Sequence, residues 1–172
     1  MASANILNHC NVYSDMGSHL GQIEEVQLPT LKNKSVDHRA GDMIGTKGLP
    51  TSLEKLEATF KGTGFFKEFY TLCANPLKLV TLQVRANLQQ FGGQGLEAEV
   101  PVIVYLKGWF PERKIGTLKN QDPAKPEYKM EVSYYKLVVD GEDLDEVDID
   151  NHIWKVDGED LLATFRTNLG LA

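Results

Sequence analysis

Val80-Thr81-Leu82-Gln83-Val84-Arg85-Ala86-Asn87-Leu88 places its apolar side chains at even positions and its polar ones at odd positions. Successive side chains of an extended chain point to opposite faces, so the stretch predicts a strand with one face buried and one wet. A second such segment follows, Ala98-Glu99-Val100-Pro101-Val102-Ile103-Val104-Tyr105-Leu106. Pro101 has no N–H to donate and marks a strand end or a sheet edge there. A third, Tyr128 to Val139, reverses its apolar phase near Tyr134-Tyr135, which predicts a bulge or a change of packing environment. Asp140-Gly141 reads as a hairpin turn, and Glu146 to Ile153 as the returning strand, with Val147, Ile149 and Ile153 on one face and carboxylates on the other.

Shorter strands are predicted around Ser18–Leu28 and Leu53–Phe60, about six or seven in all. Phe65, Phe69 and Leu72 fall at helical spacing, with Thr63 as cap and Asn75-Pro76 as stop. A second helix is predicted from Glu159 to Asn168, capped by Asp157, closed by Gly170 and facing the core with Leu161, Leu162, Phe165 and Leu169. The fold class is mainly β: an antiparallel sandwich or partial barrel with two short helices. The 172 residues form a single domain with an extended loop at about 33–50 and a second long loop at about 108–126. Trp109 and Phe110 in that second loop are candidate interface aromatics; covering a core edge is the other reading.

Composition narrows function mainly by exclusion. Apolar residues make up 42% and charged residues 24%, ordinary for a globular protein, and no stretch approaches a membrane span. The amino terminus has neither the basic nor the apolar part of an export signal, which predicts cytosolic synthesis. Cys10 and Cys73 lack CxxC or histidine partners and read as buried thiols. The four histidines fit no metal or catalytic spacing, and Gly92-Gly93-Gln94-Gly95 lacks the lysine and helix of a phosphate loop. No cofactor or metal is expected, and no enzyme. A net charge of −6 argues against a protein that grips nucleic acid phosphates.

That charge is local. Asp140, Glu142, Asp143, Asp145, Glu146, Asp148, Asp150, Asp157, Glu159 and Asp160 stand against Lys155 alone, so the run carries more than the whole net charge. Glu146, Asp148 and Asp150 are the candidate acidic face. One reading is a calcium-dependent β-sandwich module using Asp145, Asp148 and Asp150, although the loop pattern of a calcium hand is missing. A solvated strand face is another, and a surface that repels phosphate or meets a basic partner is a third.

Tyr134-Tyr135-Lys136-Leu137-Val138-Val139-Asp140-Gly141, Glu146 to Asn151, Val156 to Leu161 and Arg166 to Leu171 together resemble the carboxy-terminal part of the major tail tube proteins of contractile-tailed phages and R-type bacteriocins. Leu28-Pro29-Thr30-Leu31 and Arg39-Ala40-Gly41-Asp42-Met43 resemble the same family. The resemblance implies a structural subunit of a virion tail, assembled in the host cytoplasm as stacked homohexameric rings. Each subunit would give four strands to a continuous inner barrel. It also implies tail sheath, tape-measure, baseplate and tail-terminator proteins as partners, and a lumen that passes DNA without sequence-specific contact, or an empty one in a bacteriocin. Arg39, Gly41, Asp42 and Met43 become the candidate inter-ring loop, and Val80–Leu88 and Ala98–Leu106 are expected in sheets completed between subunits.

Overall fold

The computed structural model describes residues 4–171. In chain order the strands are β1 (Ala4–Ser14), β2 (Gly17–Ser18), β3 (Ile23–Gln27), β4 (Asn33–His38), β5 (Lys47–Leu53) and β6 (Leu56–Gly62). Helix α1 (Lys67–Ala74) follows, then β7 (Val80–Gly92), β8 (Gly95–Lys114), β9 (Glu127–Val139), β10 (Glu142–Asp148), β11 (Ile153–Val156), β12 (Glu159–Asp160) and α2 (Ala163–Asn168). The main sheet is antiparallel and runs β12-β11-β10-β9-β8-β7-β1-β2, with β6 on β9 and β3 on β6. The expected β-rich class holds, with more strands than the alternation announced and with β7 and β8 running longer, 13 and 20 residues.

The decisive stretch forms most of β7, with Val80, Leu82 and Val84 buried. Both of its edges are filled within the chain, by β1 and β8, and β8 is likewise flanked by β7 and β9. These two strands are therefore interior to the sheet, and any completion of that sheet between subunits falls at its outer edges. The phase reversal in β9 is real: Tyr128, Met130 and Val132 are buried, then Tyr135. Tyr134 pairs with Lys107 but Val132 with Gly108, so Ser133 is the extra residue of a bulge. Below the bulge β9 pairs with β6, above it with β10, and the sheet folds over its own core at that point. Gly108 permits the fold, since a Cβ there would sit 1.9 Å from the Glu131 carbonyl oxygen.

The strand β8 continues to Lys114, so the loop expected from 108 is shortened to the residues after it. Pro101 lies inside β8, yet its carbonyl accepts from Asp140 N at 3.0 Å where β9 has just ended. Carbonyl and N–H of a strand residue point to the same side, so the missing donor faces no partner strand.

The core joins Val12, Leu56, Phe60, Leu82, Leu106, Phe110, Met130 and Val147, and α1 closes one end with Phe69 and Cys73. Burying each large side chain contributes about 1.5–3 kcal/mol. Thr63 does not cap α1; its hydroxyl donates to the Gly21 carbonyl at 2.8 Å. The hexapeptide Val-Asp-Gly-Glu-Asp-Leu occurs at 139–144 and again at 156–161. Both copies turn a hairpin, with φ of 52° and 80° at Asp140-Gly141 and 49° and 79° at Asp157-Gly158. Asp157 is thus a hairpin corner and no helix cap, and Glu159-Asp160 are strand. The helix α2 starts only at Ala163 and closes as expected at Gly170, where Leu171 N bonds to Arg166 O and Gly170 N to Thr167 O. Its apolar stripe does not face the core. Leu161, Phe165 and Leu169 are about half exposed, and α2 buries no residue.

Candidate assembly surfaces

The odd residues of β7 open a polar face across the whole sheet. Pairing carries one row from Tyr13 through Gln83, Tyr105, Lys136, Glu146 and Lys155 to Asp160, seven strands wide by register. The opposite face is the core, so this one alone stays wet. Charges alternate along the row: Lys136 reaches Asp143 at 2.7 Å, and Lys155 reaches Glu146 at 3.5 Å. Tyr134 donates to Glu146 at 3.1 Å, and burial together with that bond pushes its phenol up to about 12. Arg85 lies over the Tyr13 ring at 5.3 Å, and the Asn87 and Gln89 amides donate to Glu99, holding its carboxyl below the usual carboxylate range.

The candidate acidic face is only partly assembled. Glu146 and Asp148 share the polar face, whereas β10 ends at Asp148 and Asp150 sits exposed in the turn that His152 closes with a φ of 53°. Ile149 lies in the same turn, and it is exposed instead of packing with Val147. The calcium reading finds no support. Asp145 points to the opposite face from Asp148, and Asp148 spends both oxygens on Asn151, accepting from its backbone N at 3.1 Å and its amide at 2.7 Å. Among the described residues no group of three or more His, Cys, Asp or Glu is placed to hold a metal ion.

The stretch 33–50 lies in a two-stranded hairpin, β4 with β5, that pairs with no other strand. Arg39, Gly41 and Asp42 are exposed at its tip. Met43 turns back there, its N bonding to Ala40 O at 3.1 Å, and Ile44 is fully exposed. The paired interface aromatics separate. Phe110 is buried with its ring 6.1 Å from that of Phe60, because the strand continues through it, while Trp109 is half-buried on the polar face opposite Glu131. His19, buried, is satisfied by Ser14 at 2.8 Å and Gln22 at 3.1 Å.

Unpaired backbone among the described strands of this sheet includes the outer edge of β1 beyond its short pairing with β2, the edge at β12 and the outer edge of β3. Sequence reading missed β1. His9, at φ 56°, is the extra residue of a bulge between Asn8 and Cys10, and it splits the alternation of Leu7 from that of Cys10 and Val12. Reading the two halves as separate phases would have revealed the strand.

These features define a β-rich structural subunit whose unspent surfaces are strand edges, a hairpin arm and one polar sheet face. The chain belongs to the phage tail tube protein FII family, whose model matches residues 4–170. It is 28% identical over 163 residues to the major tail tube protein of Serratia phage KSP20, covering 94% of this chain and 92% of that one. Against the tail tube protein of Escherichia phage P2 the identity is 27% over 175 residues, 99% and 100% of the two chains. Two solved chains of an extracellular contractile injection system share the fold. The sheath/tube terminator has a TM-score of 0.53 at 10% identity over 76% of this chain and 91% of that one. The sheath-tube complex gives 0.53 at 12% identity over 76% and 86%.

Proposed function

We propose that the chain is the tube subunit of a contractile, phage-like tail, a virion component that works by stacking into a hollow cylinder. The family match over nearly its whole length carries the reading. Copies join as homohexameric rings, each giving four strands to a common inner barrel. The strands long enough are β1, β7, β8 and β9, of 11, 13, 20 and 13 residues, and they are neighbours in the sheet. About twenty-four strands at ~4.8 Å, tilted by about 40°, give a backbone diameter of roughly 48 Å. Ring closure would also pair edges that otherwise invite aggregation.

The polar face lines the lumen in this arrangement, because the other face is already covered by the core. Arg85, Glu99, Lys107 and Lys136 stand there on β7, β8 and β9, and Asp143, Glu146, Asp148 and Lys155 continue the same polar face on β10 and β11. Cations paired with carboxylates, as Lys136 is with Asp143, do not grip phosphates, so DNA can pass, and an empty channel serves equally in a bacteriocin-like particle. The arm tip, Arg39 to Met43, reaches the next ring. Sheath, tape-measure, baseplate and terminator proteins complete the tail. Electron microscopy of the purified protein tests the reading: rings or tubes support it, and a uniformly monomeric sample at high concentration overturns it.

A further inference from the structure

The β4–β5 hairpin receives the least support from its own chain. It pairs with no third strand, and every residue of β4 is exposed. A hairpin of two strands alone is marginal in water, so this one needs a surface to lie on. Its two faces differ in chemistry. Val36 stands opposite Leu49 and His38 opposite Lys47, so these four side chains share one side, while Asp37 and Pro50 take the other. Val36 and Leu49 are 59% and 42% exposed, and Arg39 follows at the exposed tip. Neither Lys47 nor Arg39 belongs to an ion pair among the described residues. The side thus has an apolar centre and a cationic rim.

The α2 corner offers the opposite charge around a similar centre. Leu161, Phe165, Leu169 and Leu171 are 46–56% exposed there. Asp150, Asp157 and Glu159, in the turns and the short strand that precede α2, are exposed and in no ion pair among the described residues. The corner is also firmly held. Arg166 donates to the His152 carbonyl at 2.9 Å and pairs with both Asp160 oxygens, whose Oδ1 also accepts from Leu162 N at 3.1 Å. A surface fixed this way loses little freedom on docking. Another exposed apolar patch, Phe65, Leu77 and Leu79 beside α1, fits the hairpin less well. Lys67, Glu68 and Lys78 border it, so cations are in excess there and would repel the rim.

We propose that the β4–β5 hairpin of one copy lies across the α2 corner of another copy, with Val36 and Leu49 on Phe165 and Leu169. Lys47 and Arg39 then face Asp150, Asp157 and Glu159. The inference rests on the tube-subunit reading, in which the arm leaves its own ring, and it names the surface that receives the arm. Within one chain the two surfaces stay apart, since both are exposed. Opposite charges around apolar centres steer the encounter and fix its register, while the centres lose water on contact. A contact between two different patches of identical copies is head-to-tail, so it repeats from copy to copy as stacking requires.

Cross-linking between separate chains supplies the test. Leu49→Cys and Leu169→Cys are made as two full-length proteins, each with Cys10→Ser, then mixed, assembled and oxidised with copper-phenanthroline. Microscopy checks that tubes have formed. The expected result is a disulfide-linked dimer holding one chain of each kind by mass spectrometry, reversed by reductant and absent when either protein is assembled alone. Tubes that form without the mixed dimer overturn this docking and leave the tube reading standing. Where the cysteine chains do not assemble, exchange of charge decides. Arg39→Glu with Lys47→Glu should abolish assembly, and adding Asp150→Lys with Glu159→Lys to the same chain should restore it; failure to restore overturns the docking. An unsubstituted chain that makes no rings or tubes overturns the tube reading, and this inference falls with it.

Discussion

Trp109 and Phe110 are consecutive aromatics with opposite fates, because a strand sends neighbouring side chains to opposite faces. Phe110 is 1% exposed beneath Phe60, so Phe110→Ala opens a cavity and should cost about 3–5 kcal/mol of stability, read as a lower urea midpoint. Trp109 is half-buried on the polar face, and Trp109→Ala should cost clearly less. Equal losses of stability for the two variants would contradict the assignment of faces. The sequence presented both as large residues beside a proline, which left a loop at an interface and a core edge equally open. Only the length of β8, carried through Lys114 by its pairing with β9, decides between them.

At the scale of elements, sequence reading succeeded where one local rule acted alone. The alternation from Val80 to Leu88, the phase slip at Tyr134-Tyr135, the Asp140-Gly141 turn and the Gly170 closure all depend on near neighbours, and all appear in the fold. The carboxy terminus misled because acids ahead of an apolar stripe signal a helix start, whereas Asp157-Gly158 folds the same residues into a hairpin on β11. The outward turn of that stripe was illegible for a different reason: apolar spacing says that a face is buried, not in which molecule. What holds the corner is the pair between Asp160 and Arg166. Arg166 beside Asp160 keeps that carboxyl below the usual carboxylate range. A depressed carboxylate stabilises fully above its unfolded value of about 3.9, and the contribution fades as pH falls through the lower folded value. Amides of Leu169 to Leu171 should therefore exchange faster with solvent below about pH 4, ahead of those in β7, and Arg166→Ala should give the same loosening at neutral pH. Uniform exchange across α2 and β7 through that range would count against the clamp.

The whole molecule pairs a locally acidic sequence across strands with cations that the chain places elsewhere. Ten carboxylates between Asp140 and Asp160 face one lysine along the chain, yet across strands Lys136 meets Asp143 and Glu146 meets Lys155. The acids of the run are also divided among the polar face, the core side of β10 and two turns, so sequence proximity overstated their joint field. If the polar face is the lumen wall, removing Glu146 and Asp148 leaves Arg85, Lys107, Lys136 and Lys155 in excess, repeated in every copy of a ring. Glu146→Gln with Asp148→Asn keeps side-chain size and the acceptor for Tyr134, so rings should still assemble. Each neutralised pair shifts the wall by about two charges per copy, or roughly twelve per ring of six. Counterion release makes phosphate binding fall steeply with salt, by about one power of salt concentration per neutralised phosphate. Rings of the double variant should therefore retain a fluorescent DNA duplex in anisotropy measurements at about 50 mM salt and release it by about 300 mM. Rings of the unsubstituted protein should retain little at either. A variant ring no stickier than its parent would place this face away from the channel and require the lumen wall to be sought on another surface of the sheet.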